Sequence, residues 1–117
     1  MRSVATIKTA LEAQNIAVFM PGEHPGVCLS PYCVIQPMNE MRIGRHSHGT
    51  GIIRLHLYAP VGRFDKLDAL WQKADEVLTA LSDKGDIRYT GERGTCLIDD
   101  AFRAVTCFAD VTVQFGA

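Results

Sequence analysis

The chain has 117 residues, of which 47% are hydrophobic and 21% charged, the size and polarity of one ordinary folded domain and not of a disordered tail. Twelve Lys and Arg against thirteen Asp and Glu leave a formal charge of -1, so no general positive field exists to condense on nucleic acid or anionic lipid. No apolar run approaches the roughly 20 residues that span a bilayer.

The opening MRSVATIKTALEAQ has polar residues where a secretory leader would have its apolar centre, so Cys28, Cys33, Cys96 and Cys107 are expected as free thiols in a reducing cytoplasm. In the same stretch Val4, Ile7 and Leu11 fall at helical spacing behind a capping Ser3, which predicts a short first helix ending near Asn15 and Ile16. IAVFM, residues 16–20, is apolar throughout and stops at Pro21-Gly22, the pattern of a brief buried strand. PGEHPGVCLSP reads as loop. YCVIQPM resumes as a strand in which Pro37, lacking an N–H, belongs at the end or on a sheet edge. NEMRIGRHSHGTG is polar and glycine-rich, and is expected to be a loop.

Residues 52–59 alternate, with Ile53, Leu55, Leu57 and Ala59 on one side and Ile52, Arg54, His56 and Tyr58 on the other, as in a half-buried strand. After Pro60-Val61-Gly62, Leu67, Leu70, Trp71, Ala74, Val77, Leu78 and Leu81 form one apolar helical stripe, which needs a sheet to cover it. Asp65 is the expected cap and Gly85 the expected stop, for a helix about 25 Å long at 1.5 Å per residue. DIRYT and TCLID are short strand candidates around the turn GERG. In AVTCFADVTVQF, Val105, Cys107, Ala109, Val111, Val113 and Phe115 share one face, with Thr106, Phe108, Asp110, Thr112 and Gln114 opposite. With no repeat or linker, residues 1–117 read as a single domain. The fold class expected is α+β: a mainly antiparallel sheet with two helices packed on one face.

The sharpest chemical signal is Cys28, Cys33, His46 and His48. The C-x4-C start matches a zinc finger, but the histidines stand one residue apart where a finger's helix needs three to five. A different metal geometry, or a small hydrolytic domain using His46 and His48, stays open as an alternative. Asp99 and Asp100 are adjacent, so an extended backbone points them to opposite faces and they read as turn residues, not as paired catalytic carboxylates. His56 between Arg54 and Tyr58 reads as a surface strand histidine, and Cys96 and Cys107 as core residues. GERG lacks the spacing of a phosphate loop. Arg42, Arg45, His46 and His48 form a basic patch without aromatic residues to stack on bases, which argues against specific nucleic-acid binding. No cofactor is expected.

Taken together, YCVIQPM, GIIRLHLYAPVGRFDKLDALWQKADEVLTAL and LIDDAFRAVTCFADVTVQF resemble the small tail terminator or tail completion proteins of long-tailed bacteriophages and prophages, called minor tail proteins in many genomes. The resemblance covers most of the chain from Tyr32 onward. It implies a non-enzymatic virion assembly protein: a hexameric ring that caps the tail tube, stops its growth and offers a surface for the head. The implied partners are further copies of the chain, the major tail tube protein and the head–tail connector proteins, with no membrane, and the implied location is the virion tail, assembled in the bacterial cytoplasm. A long mobile loop between central strands is part of that pattern, at NEMRIGRHSHGTG. Candidate contact residues are Arg42, Arg45, His46 and His48 on the loop, the strand face of Arg54, His56 and Tyr58 beside Ile52, and the edge at Pro37. A head–tail connector or neck component is the neighbouring alternative.

Overall fold

The structure is a computed structural model that describes residues 2–24, 26–42, 49–85 and 87–115. In chain order the elements are α1 (Arg2–Glu12), β1 (Val18–Phe19), β2 (Tyr32–Arg42), β3 (Gly49–Pro60), α2 (Phe64–Asp83), β4 (Leu97–Asp99) and β5 (Ala104–Phe115). They form a five-stranded sheet in the order β1-β2-β3-β5-β4 with both helices on one side. Every pairing is antiparallel except β1 with β2. The chain therefore has the α+β fold that its periodicities imply.

The core follows from two alternations meeting one helical stripe. Ile53, Leu55, Leu57 and Ala59 of β3 lie beside Val111, Ala109, Cys107 and Val105 of β5, and Cys33 and Ile35 of β2 complete the face. Leu67, Leu70, Ala74, Val77, Leu78 and Leu81 of α2 are buried against it, and Ile7 and Leu11 of α1 close one side. Each fully buried Leu, Ile or Val contributes roughly 1.5–3 kcal/mol from leaving water. Trp71 is only half-buried, at the rim of this core.

α2 begins one residue before the expected cap. Arg63 is its N-cap and makes no side-chain capping bond, while Asp65 lies in the first turn and pairs with Arg63 at 3.0 Å. A carboxylate there still complements the positive end of the helix. Its 20 residues span about 30 Å, one turn more than expected. The end is as expected: Gly85 takes φ +83°, the left-handed conformation that glycine adopts without a Cβ penalty. Ser3 lies inside α1, whose helix already runs from Arg2.

Three other expectations change. The strand read in IAVFM narrows to two residues, Val18 and Phe19, which pair in parallel with Cys33 and Val34. Much of the expected NEMRIGRHSHGTG loop is strand: Asn39, Glu40, Met41 and Arg42 pair with Ile52, Gly51, Thr50 and Gly49. β3 is held there from both sides, because Gly49–Ile52 also pair with β5, and this pairing overrides a composition that reads as loop. The connection 43–48 lies outside the described residues. Pro37 is in the strand interior but at a sheet edge, where β2 carries a register shift between Pro37 and Asn39. Finally, DIRYT contributes one bridge, Arg88 with Thr112, rather than a strand, and Asp86 lies outside the described residues.

Candidate interaction face

Strand alternation sends every second residue of β2, β3 and β5 to the side away from the helices. The outer rows are Tyr32, Tyr58 and Thr106; Val34, His56 and Phe108; Gln36, Arg54 and Asp110. Opposed residues on neighbouring strands have their Cβ atoms about 5 Å apart, so each row is a contact. The three residues expected on the outer strand face, Arg54, His56 and Tyr58, are thus brought together as their spacing requires. Arg42 is described only as β2 backbone, and Arg45, His46 and His48 lie outside the described residues.

Arg54 grips Asp110 with both arms of its guanidinium, Nε to Oδ1 at 2.8 Å and Nη2 to Oδ2 at 3.0 Å. Its Cζ also sits 4.0 Å from the centre of the Phe108 ring. A planar cation held by a carboxylate edge and an aromatic face has one orientation, which a lysine would not have. His56 Nε2 lies 2.7 Å from Oε1 of Gln36, within hydrogen-bonding distance. Burial, and after it the charge of Arg54, lower the imidazole from its ordinary value, with Asp110 opposing them. Ile52 completes this half of the face at 37% exposure.

The other half is a second small core. Cys28, Tyr32 and Ala104 are buried, with Phe19, Val34, Tyr58 and Phe102 packed around them. His24 stacks on Tyr32 at 3.9 Å and 8°, and Tyr32 on Tyr58 at 4.8 Å and 10°. Phe19 meets His24 edge-on, and Phe102 meets Tyr58 in the same way. The Cys28 N–H donates to Phe102 O at 2.7 Å, tying the 20–31 connection to the β4–β5 turn. Burial, as the largest cause, pushes the Tyr32 hydroxyl up to about 12. Sequence reasoning placed Tyr58 on this side but missed Tyr32, His24 and Phe102 as its companions. No local signal links residues so far apart in the chain.

The remaining sequence candidates do not converge. Cys33 is in the main core and Cys28 in the outer cluster, so the sheet stands between the two thiols and the C-x4-C pair cannot share one ion. Among the described residues no three His, Cys, Asp or Glu side chains are grouped to hold a metal. Asp99 Oδ1 accepts the Phe102 N–H at 3.2 Å, which makes it a turn residue. No helix among the described residues is long and apolar enough to cross a membrane. Compared with known proteins, the sequence matches no protein-family model and no curated protein.

Proposed function

We propose that the chain is a structural assembly protein of a long-tailed bacteriophage or prophage, a tail terminator whose copies form a ring on the tail tube, stop its growth and present a surface to the head. The observation that carries this reading is the half of the outer sheet face that no helix among the described residues covers. Arg54, His56, Phe108 and Asp110 are held in fixed orientations there, although both helices pack on the other side. Order without a covering layer suits a surface that meets another chain.

A closed ring also needs two unlike patches on each subunit. The sheet supplies unlike edges. Beyond Val34, β2 has no outer partner among the described residues, whereas the opposite edge is β4, with Leu97 and Ile98 60% and 65% exposed. The partners on this reading are further copies of the chain, the major tube protein and the connector proteins, in the virion tail.

Light scattering behind size exclusion is expected to show concentration-dependent oligomers, and added protein is expected to cap growing tubes. Ile52→Asp, on the open face, is expected to weaken both. A strict monomer at high concentration that leaves tubes uncapped overturns the proposal. In a null mutant, overlong tubes support termination, whereas normal free tails move the protein to the neck.

A further inference from the structure

The backbone hydrogen bonds along β5 single out one pair of cysteines. Arg88 and Thr112 exchange both N–H to O bonds, at 2.8 and 2.9 Å, and the Gly94 N–H donates to Phe108 O at 2.7 Å. Even-numbered residues of β5 therefore turn their backbone groups toward the outer segment 88–99, and by alternation Cys107 turns its own toward β3. Leu97 lies opposite Thr106. The Gly94 bond to Phe108 and the Leu97 pairing with Thr106 differ in register by one residue, a bulge that leaves Thr95 and Cys96 together opposite Cys107. Neighbouring antiparallel strands bring facing Cα atoms to about 4.5–5.5 Å, inside the range a disulfide spans.

The side chains agree with the backbone. Cys107 is buried in the main core, and half-buried Cys96 packs on that core, close enough to Cys107 to help raise its thiol. The other pairings are closed. Cys33 faces the same core, but Leu57 stands between it and Cys107, so two strand spacings of about 4.8 Å separate them. That exceeds the roughly 7 Å limit for a disulfide. Cys28 is on the opposite face of the sheet.

We propose that Cys96 and Cys107 are a redox-closable pair, a covalent modification site at which a small-molecule disulfide staples the outer segment to β5. With oxidised glutathione as the oxidant, the Cys96 thiolate attacks one glutathione sulfur, the oxidant's S–S bond breaks and one glutathione thiolate leaves. The Cys107 sulfur then attacks the Cys96 sulfur of the mixed disulfide and displaces the second glutathione. The chain loses two thiol hydrogens and two electrons, and glutathione gains them. Cys96 reacts first because it is the half-exposed member. Burial, as the largest cause, pushes the Cys107 thiol up to about 12, so the closing step is slow and quickens with pH. The bond fixes β4, with its exposed Leu97 and Ile98, to the central sheet. This inference does not depend on the assembly reading.

The test is thiol counting and non-reducing peptide mapping of the folded chain after incubation with oxidised glutathione. The expected result is loss of two of the four free thiols, a link between the peptides of Cys96 and Cys107, and reversal by dithiothreitol. Cys28→Ser is expected to keep the link, and Cys96→Ser to abolish it while Cys107 stays reduced. Should Cys96→Ser fold poorly, the wild-type and Cys28→Ser maps decide the matter alone. Retention of all four thiols, or a link between any other pair, overturns the proposal.

Discussion

The two faces of this sheet come from the same strands by the same alternation, yet they are stabilised by different means. On the helix side, Leu57, Cys107 and Val111 are buried by α2 through non-directional apolar contact. On the open side, Arg54 is fixed by Asp110 and Phe108, and His56 by Gln36, each through a contact with a required direction. Burial supplies most of the stability of the first face, and directional contacts define the shape of the second. A surface that must stay ordered while exposed can rely only on the latter.

The comparison can be broken first at its strongest point. Leu57 is fully buried on the central strand, between Cys33 and Cys107. Leu57→Ala is expected to cost about 2–5 kcal/mol, the range for emptying a core site, read as a fall in the urea midpoint. A smaller change comes from the open face. A Cβ on Gly94 would overlap the Phe108 ring, so Gly94→Ala must displace the ring on which Arg54 rests. The expected cost is about 1–3 kcal/mol, as for overpacking elsewhere, with the Phe108 and Arg54 resonances shifted and those of Leu57 unmoved. Resonances that shift equally on both faces would show that the faces are not separate units.

The smallest effect sharpens the contrast through pH. Because burial and Arg54 hold the folded His56 pKa below its ordinary 6.5, the fold favours the neutral ring. That contribution is complete above the unfolded value and is lost as pH falls from about 6.5 through the lower folded value. His56→Gln is expected to flatten the melting temperature between pH 7 and pH 5 relative to wild type, a window set by the ordinary histidine pKa of about 6.5. An unchanged slope would place the titration elsewhere.

Of the fold, the sheet's inner face and α2 were legible in the residues because period 2 and period 3.6 are local properties. Of the candidate face, Arg54, His56 and Tyr58 were legible by the same alternation. The extension of β2 through Arg42 was not, because Asn39–Arg42 and Gly49–Gly51 are polar or glycine-rich and become strand only by pairing with each other and with β5. The stack of His24, Tyr32 and Tyr58 was also illegible, since it needs the 20–31 connection to fold back over the sheet.

By itself, the order of residues determined which side of each strand is apolar, where the long helix runs and ends, and hence an α+β domain with a helix-covered sheet. Tertiary structure alone decided that β5 lies between β3 and β4, that β1 joins in parallel, that Arg54 meets Asp110, and that Cys96 packs on the core near Cys107. The physical reason is that polarity patterns act over a few residues, whereas strand neighbours and register are chosen by which distant segments close on one another and satisfy each other's backbone groups.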